Sequence, residues 1–230
     1  DKPCIAYHDH TDKKSSYNLL KRLANGEDVA LISDAGTPLI SDPGYRLVAE
    51  ARVQGYSVIP VPGASAVVAA LSVAGLPTDK FKFIGFLPAK SSQRKSALTD
   101  LKTGAETMVC YEAPHRIVET LQDMVEVFGA KRPAFMAREI TKTFETYLHG
   151  SLEKLLAQVQ ADSNQQRGEI VLVIGGHIGE SDNVSVDAEK ILGLLMKELP
   201  LTKAASVTAK ITGGDKKQLY QLGLSLQDKD

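Results

Sequence analysis

The order of apolar and polar residues predicts a chain in which strands alternate with helices. Short apolar runs bounded by small and polar residues are typical of buried strands, and two such runs occupy residues 29–32 and 56–61. Segments with apolar residues every three to four positions predict amphipathic helices, and the first of them, residues 15–25, stops at Gly26. Alternation of this kind predicts a parallel α/β unit.

Leu-Pro-Thr-Asp at residues 76–79 interrupts the alternation of strands and helices, and we expect a domain boundary there. Two strands beyond it, 133–138 and 143–149, lie close enough in sequence to pair antiparallel, so the second sheet is expected to be mixed. We predict further helices at 43–54, 64–74, 91–102, 114–128 and 151–161 and further strands at 81–86, 106–111 and 169–174.

The last part of the chain predicts a small helical tail. A polar, glycine-containing segment at 175–187 suits a linker. Helices predicted at 186–199, 202–212 and 216–224, the last two separated by Gly213-Gly214, are typical of a helix-turn-helix-like module. We therefore predict three domains: a partial N-terminal α/β cofactor-binding domain at 1–77, a second α/β domain at 78–178 and a tail at 186–226.

Composition narrows the class of protein. The 230 residues have 43% hydrophobic and 24% charged side chains, which is ordinary for a globular protein. The net charge of −1 gives no global support for nucleic-acid binding, so any such binding depends on local basic patches. Cys4 and Cys110 form neither a disulfide framework nor a zinc motif, and no apolar run reaches the length of a membrane helix. We expect no membrane association and a reducing cytoplasm.

Small residues follow the first predicted strand and favour close approach of the backbone to a ligand. Ligands of open α/β sheets bind at the carboxyl ends of the strands, and a glycine there leaves the main chain uncovered. Asp42-Pro43-Gly44 then predicts a helix start, with Asp42 as its cap. The candidate cofactor-binding residues of this first loop are Ser33, Asp34, Ala35, Gly36, Thr37 and Pro38.

A second loop of the same kind follows the next predicted strand. Its candidate cofactor-binding residues are Pro62, Gly63 and Ser65, and it leads into an apolar helix. Two successive loops of this kind favour one shared crevice. Neither strand is followed by a dinucleotide fingerprint, and the chain has no Gly-Lys-Ser/Thr phosphate loop.

Five motifs in order resemble those of a known superfamily. They are Ser33-Asp-Ala-Gly-Thr-Pro38 with Asp42-Pro-Gly44, Val61-Pro-Gly63, Tyr111-Glu-Ala-Pro-His-Arg116, Ala137-Arg-Glu-Ile-Thr-Lys142 and Arg167-Gly-Glu-Ile-Val-Leu-Val173. Together they resemble the tetrapyrrole-methylase superfamily of S-adenosylmethionine enzymes, and within it the small-subunit ribosomal RNA methyltransferases that modify a cytidine ribose 2′-hydroxyl.

This resemblance implies a fold, a cofactor and partners. The fold is two α/β domains with S-adenosyl-L-methionine in the cleft between them, and the partners are 16S rRNA and a second copy of the chain in a homodimer. The chain begins with Asp1 and joins the family pattern partway into the first domain, so we expect that domain to be incomplete at its N-terminus.

The segment after Tyr111 holds the candidate catalytic residues. Removal of the 2′-hydroxyl proton would be helped by a base, and Glu112 and His115 are candidates, with Asp34 of the first loop as a third. Tyr111 is a candidate cofactor contact. The alternative interpretation is structural: Glu112 caps the following helix and pairs with Arg116.

Basic side chains near the predicted strand ends are candidates for RNA binding. The set is Lys90, Arg94 and Lys95 in a basic loop, Arg116, and Arg138 and Lys142 at a turn between strands. Charged runs are more often solvated surfaces, and that alternative stays open for each of them. Lys203, Lys210, Lys216 and Lys217 form a second, modest basic surface in the tail.

Two further interpretations remain. His8-Asp9-His10 has alternating polar residues but no third ligand at a suitable spacing, so we predict no metal site. The rivals of the rRNA methyltransferase are a methyltransferase that acts on a tetrapyrrole carbon and a non-catalytic RNA-binding module. The basic loop and the lysine-bearing tail favour RNA over an anionic macrocycle.

Overall fold

A five-stranded mixed sheet forms the centre of the computed structural model, which describes residues 3–8, 13–177 and 186–227. Its strands are β1 (Phe81–Phe86), β2 (Thr107–Glu112), β3 (Pro133–Arg138), β4 (Thr146–Ser151) and β5 (Ile170–Ile174), in the order β1-β2-β5-β3-β4. β1 and β2 run parallel, whereas the other neighbours run antiparallel. The predicted mixed sheet and the β3–β4 pairing are confirmed.

Nine helices occur in the described ranges, close to the predicted positions. They are α1 (Lys13–Ala24), α2 (Tyr45–Val53), α3 (Ala66–Val73), α4 (Ser91–Thr99), α5 (Ile117–Phe128), α6 (Leu152–Ala161), α7 (Val186–Met196), α8 (Leu201–Thr212) and α9 (Lys216–Gln227). Short 3-10 helices occupy Pro114–Arg116 and Ser163–Gln166.

Alternate strand residues supply two apolar layers, one on each face of the sheet. Met108 and Leu172 pack on the face that α4, α5 and α6 cover. Val109 and Val173 belong to the opposite face, which carries α3. This alternation decides on which side of the sheet each residue of β2 projects.

Residues 29–32 and 56–61 do not form the predicted strands. No strand precedes Phe81 in the described part of the chain, and Ile32, Ile59 and Val61 are 78%, 78% and 87% exposed. An apolar run becomes a strand only when a neighbouring strand satisfies its backbone groups, and these runs have no such neighbour among the described residues.

The predicted start of α2 was also wrong. The helix begins at Tyr45, and its N-cap is Gly44, which makes no side-chain capping bond. Gly44 has a φ of 131°, and a Cβ there would meet the side chain of Leu31. Asp42 therefore lies before the helix and is not its N-cap residue.

The chain divides into two units, Asp1–His177 and Ile178–Asp230. The second contains α7, α8 and α9 around Leu192, Ala204 and Leu219, and Gly213 ends α8 in the left-handed conformation. The division of the first unit near residue 77 stays a prediction. None of the helices in the described ranges is long and apolar enough to cross a bilayer.

Candidate active site

A cavity of about 390 Å³ lies in the first unit, where the first loop approaches the ends of β2 and β5. This volume is within the range of sites for small ligands and cofactors. Of the residues predicted to bind cofactor or act in catalysis, six line it: Ala35, Gly36, Thr37, Ser65, Tyr111 and Glu112.

The two small-residue loops meet at this cavity, although the runs before them are not strands. Thr37 Oγ1 donates a hydrogen bond to the carbonyl oxygen of Ala64 over 3.1 Å. The backbone of Gly36 has a φ of +74°, and a Cβ there would lie 3.7 Å from the same carbonyl oxygen. The prediction of one shared crevice is thus met by direct contact between the loops.

The remaining candidates of these loops have other positions. Ser33 Oγ donates to the carbonyl oxygens of Ala35 and Gly36 over 3.2 and 3.0 Å, which stabilises the first loop from within. Asp34, Pro38, Pro62 and Gly63 are not among the residues that line the cavity. For these residues a cofactor contact stays a prediction.

The end of the first loop holds backbone that ordinary residues seldom adopt. Leu39 and Ser41 have φ values of 72° and 65°, in the left-handed region. Such conformations persist only where surrounding contacts compensate for them, and they are frequent at ligand sites. They place Ile40, Ser41 and Asp42 along the cavity wall.

Tyr111 gives the cavity an aromatic side. Its ring packs edge-on against Phe83 at 5.0 Å and tilted against Phe86 at 5.6 Å. Burial, and to a smaller extent the negative charge of Asp42, raises the pKa of the Tyr111 phenol. The phenol therefore stays protonated at neutral pH and can donate a hydrogen bond.

Glu112 has its carboxylate engaged in a buried network. Its Oε1 accepts from the Ala113 N–H at 2.7 Å, its Oε2 accepts from Thr120 Oγ1 at 2.6 Å, and Arg116 forms an ion pair at 2.8 Å. Only 2% of the residue is exposed. These contacts match the structural alternative, in which Glu112 pairs with Arg116.

The other two candidate bases are exposed and lie outside the cavity lining. His115 occupies the short 3-10 helix after β2, and Asp34 lies within the first loop. Neither side chain is placed at the cavity wall beside Tyr111. The structure thus does not bring the three predicted bases together, and their catalytic roles stay predictions.

Two predicted RNA-binding residues are buried, which argues against a direct contact, and their role in RNA binding stays a prediction. Arg94 is 0% exposed, and its Nε bonds to Asp123 Oδ2 at 2.6 Å. Arg138 is 6% exposed and donates to Gln165 and Thr146. A guanidinium enclosed in this way does not reach a phosphate in solvent.

The other basic candidates differ in how far their charge is already neutralised. Lys95 pairs with Glu126 at 2.6 Å, and its pKa is raised mainly by that hydrogen bond. Arg116 donates to the carbonyl oxygen of Leu87 as well as to Glu112. Lys142 pairs with two carboxylates, and Lys90 is exposed just before α4.

Sequence reasoning missed several residues around the cavity. Phe86, Ala113, Pro114, Ile140, Gly168, Glu169, Ile170 and Val171 all line it. A signal was present for some of them, since Ile140 and Gly168-Glu169 lie within the motifs that carry the family resemblance. The sequence predicts RNA contacts for Arg138 and Lys142 of the first of these motifs but no cavity contact for Ile140 or Gly168-Glu169, because their distance from the first loop is set by the fold.

The charged side chains around the cavity are acidic. Asp42, Glu112 and Glu169 are among the lining residues, and none of the described lining residues is Lys, Arg or His. Glu112 pairs with Arg116 and Glu169 pairs with Lys142, so Asp42 is the lining carboxylate that forms no ion pair with another described residue and can favour a cationic group of a ligand. No cluster of metal-ligating side chains occurs in the part of the chain that the structure describes. Asp9 and His10 lie outside it.

Comparisons with known proteins agree with this fold. Sequence profiles of the tetrapyrrole (corrin/porphyrin) methylases and of the RsmI C-terminal HTH domain match residues 6–156 and 182–227. The ribosomal RNA small subunit methyltransferase I of Pseudomonas aeruginosa is 51% identical over 229 residues, 99% of this chain and 81% of the relative. Its counterpart from Vibrio cholerae is 47% identical over 221 residues, 96% of this chain and 77% of the relative.

Solved structures share the fold at low sequence identity. The methyltransferase CobJ covers 73% of this chain and 72% of its own with a TM-score of 0.54 and 19% identity. Diphthine synthase covers 71% and 65% with a TM-score of 0.52 and 17% identity. By sequence and by fold, the chain belongs to the tetrapyrrole methylase family and, within it, to the family of ribosomal RNA small subunit methyltransferase I.

Proposed function

We propose that this chain transfers a methyl group from S-adenosylmethionine to the 2′-hydroxyl of a cytidine ribose in 16S rRNA. The observation that carries the proposal is the cavity between the two small-residue loops and the end of β2, in a chain of this family. Its size, its uncovered backbone and the carboxylate of Asp42, unpaired among the described residues, suit a cofactor with a cationic sulfur.

Different residues around the cavity contribute different groups to cofactor binding. Gly36 and Ser65 leave main-chain groups open to the cofactor, Tyr111 offers an aromatic face, and Asp42 supplies negative charge. When bound, S-adenosylmethionine supplies a methyl group that passes from its positively charged sulfur to the ribose oxygen, as the hydroxyl loses its proton. The protein contributes alignment and a cavity that shields the reacting atoms from water.

RNA binding is assigned to accessible basic side chains. Lys203, Lys210, Lys216 and Lys217 are exposed on α8 and α9, and none of them forms an ion pair with another described residue. Lys90 is exposed in the first unit. Positive side chains in this state can neutralise phosphates without first breaking a contact within the protein.

A labelling experiment tests the proposal. The purified chain is incubated with methyl-labelled S-adenosylmethionine and small ribosomal subunits that lack the modification. We expect label in 16S rRNA, within a dinucleotide that resists alkaline cleavage, because a 2′-O-methyl group blocks that reaction. Label in a porphyrinoid precursor but not in RNA would establish the small-molecule rival. An absence of S-adenosylmethionine binding in calorimetry would favour a module that only binds RNA.

We also infer the assembly and the location. The family resemblance implies a homodimer, and a ribosomal substrate implies the cytoplasm, where small subunits are found. Light scattering on the purified chain measures its assembly state directly. A mass equal to one chain of 24.8 kDa would contradict the homodimer.

A further inference from the structure

Two loops on one side of the cavity are joined by an unusual set of contacts. One follows β3 and contains Glu139, Ile140 and Thr141, and the other precedes β5 and contains Gly168 and Glu169. Ile140, Gly168 and Glu169 line the cavity. The φ values of Glu139 and Thr141 are 54° and 68°, so the backbone on both sides of Ile140 is in the left-handed region. Such a loop keeps its shape only if its surroundings hold it.

Glu139 and Glu169 bind each other through their main chains and one carboxylate. The N–H of Glu139 donates to the carbonyl oxygen of Glu169 over 2.9 Å. The N–H of Glu169 donates to Oε1 of Glu139 over 2.9 Å. The two bonds run in opposite directions, so they fix both the distance and the relative orientation of the loops.

Lys142 strengthens this connection. Its Nζ donates to Glu139 Oε1 over 2.8 Å and to Glu169 Oε2 over 3.0 Å. Its backbone N–H donates to the carbonyl oxygen of Glu139 over 2.9 Å. Lys142 therefore places a positive charge between two carboxylates that would otherwise repel each other.

Gly168 makes room for the Glu139 side chain. Its φ is +79°, and a Cβ at this position would collide with the Cγ and carboxylate atoms of Glu139. Absence of a side chain at residue 168 is thus a condition for the contact between Glu139 and the second loop.

We propose that Glu139 is a positioning residue, whose carboxylate clasps the loop at Gly168-Glu169 so that Ile140, Gly168 and Glu169 keep one wall of the cavity in the shape that the cofactor needs. This role rests on the proposed function. It is not a catalytic one, because Oε1 of Glu139 accepts from both Glu169 and Lys142, only 15% of the side chain is exposed, and Glu139 is not among the residues that line the cavity.

Two variants of Glu139 test the clasp, with hydrogen exchange and calorimetry as readouts. In Glu139→Ala the amide of Glu169 loses its acceptor and should exchange at least about tenfold faster. The dissociation constant for S-adenosylmethionine should rise about ten- to hundredfold, with a larger effect on KM than on kcat. Glu139→Gln keeps an acceptor oxygen and should recover part of both losses. If Glu139→Ala does not fold, Glu139→Gln is compared with the native chain instead.

The matched control is Glu126→Ala. Glu126 forms a 2.6 Å ion pair with Lys95 that resembles the Glu139–Lys142 pair, but it does not line the cavity. This variant should change neither the exchange of the Glu169 amide nor the affinity for S-adenosylmethionine. An equal loss in both alanine variants would mean that general destabilisation, rather than positioning, is being measured.

Gly168 provides an independent test through a double-mutant cycle. Gly168→Ala should weaken S-adenosylmethionine binding strongly in the native background, but much less in the Glu139→Ala background, where the collision is absent. Gly129→Ala is the control, since Gly129 has a φ of +92° and nothing within 4 Å of its Cβ position. Equal effects of Gly168→Ala in both backgrounds would overturn the proposal.

The outcomes separate the clasp from the proposed function. Unchanged exchange at Glu169 in Glu139→Ala would show that the clasp does not exist in solution. Faster exchange with unchanged cofactor affinity would show that the clasp does not shape the cavity. If the native chain does not bind S-adenosylmethionine at all, the proposed function fails, and the exchange measurement in the free protein still decides whether Glu139 holds the second loop.

Discussion

At the scale of residues, two neighbours on β2 illustrate how position on a strand decides the role of a side chain. Tyr111 and Glu112 are consecutive, so they project to opposite faces of the sheet. Tyr111 contacts the aromatic cluster beside the cavity, whereas the Glu112 carboxylate bonds to Arg116 and Thr120. Both residues line the cavity, but the ring of Tyr111 is available for contact whereas the carboxylate of Glu112, a predicted base, is engaged within the protein.

We expect Glu112→Ala to act mainly on the stability of the fold rather than on the rate of methyl transfer. The change leaves the Arg116 guanidinium without its buried partner, which costs about 3 kcal/mol in unfolding free energy. Urea denaturation measures this loss, and methyl transfer per folded molecule is measured in parallel. Unchanged stability with a rate loss of about 10²–10⁴-fold would instead restore Glu112 as the general base. His115→Ala, at an exposed site outside the cavity lining, should lower the rate less than about tenfold.

Arg94 should prove to be a structural residue. Arg94→Met removes one partner of a buried pair with Asp123 and should cost about 3–5 kcal/mol of unfolding free energy. Replacing both residues, as Arg94→Met with Asp123→Leu, should recover part of the loss. Arg22→Met is the control, because its pair with Glu27 lies at the surface and its loss should leave the denaturation midpoint almost unchanged. A stable Arg94→Met chain with weakened RNA binding would reinstate the original prediction.

The clasp should open in acid. The pKa of Glu139 is lowered, first by the hydrogen bond from Lys142 and then by the backbone bond to Glu169, and Arg138 adds a smaller attraction. A lowered pKa stabilises the fold at neutral pH, and this contribution is lost as the pH falls through the folded-state value, below the ordinary 4.5. The difference in melting temperature between the native chain and Glu139→Gln should therefore be constant near neutrality and shrink in acid. A pH-independent difference would contradict this.

At the scale of elements, the loops around the cavity contact each other although the segments that precede them form no strands. Residues 29–32 and 56–61 lack strand partners among the described residues, yet the loops after them meet through Thr37 and Ala64. Side-chain and main-chain bonds within and between the loops replace the support that a sheet would provide. The site therefore depends on a small number of short contacts.

Gly36→Val should remove cofactor binding while the chain stays folded. A β-branched residue is strongly disfavoured at a φ of +74°, and its side chain would occupy the space beside Ala64. We expect at least about tenfold weaker binding of S-adenosylmethionine in calorimetry, which corresponds to about 1.4 kcal/mol. Gly26→Val is the matched control, with a φ of +80°, nothing within 4 Å of the Cβ position, and no place in the cavity lining. Equal affinities of the Gly36→Val and native chains would exclude this loop from the cofactor site.

At the scale of the whole molecule, charge is distributed unevenly. The chain has a net charge of −1, and none of the described lining residues of the cavity is Lys, Arg or His, but α8 and α9 carry four exposed lysines. Cofactor binding and RNA binding can therefore use different parts of the chain. This separation lets one function be altered without the other.

Replacing Lys203, Lys210, Lys216 and Lys217 together with alanine should weaken binding to small ribosomal subunits and reduce its dependence on salt. Each lost phosphate contact lowers the slope of log K against log salt by about 0.7–0.9. The affinity for S-adenosylmethionine should not change, because all four lysines lie outside the cavity lining. Lys190→Ala, on α7, is the control for a single charge change in the same unit. An unaltered slope in the fourfold variant would leave these lysines as a solvated surface.

Elements whose signals are local can be predicted from the amino-acid sequence alone. Strands and helices from Phe81 onward were predicted within a few residues, because the period of apolar positions and the breaks at Gly and Pro are written in neighbouring residues. The small-residue loops and the family motifs were visible for the same reason.

Contacts between residues that are distant in sequence follow from the packing of the folded chain. The burial of Arg94, the side of the sheet to which Glu112 turns, and the contact between Glu139 and Gly168 all depend on how distant segments pack. A strand likewise needs a neighbouring strand. The apolar runs at 29–32 and 56–61 have no such neighbour among the described residues, and their own sequence contains no sign of this. Local pattern fixes the period of an element, whereas burial and hydrogen bonding are properties of pairs of segments, and pairing is decided by the fold.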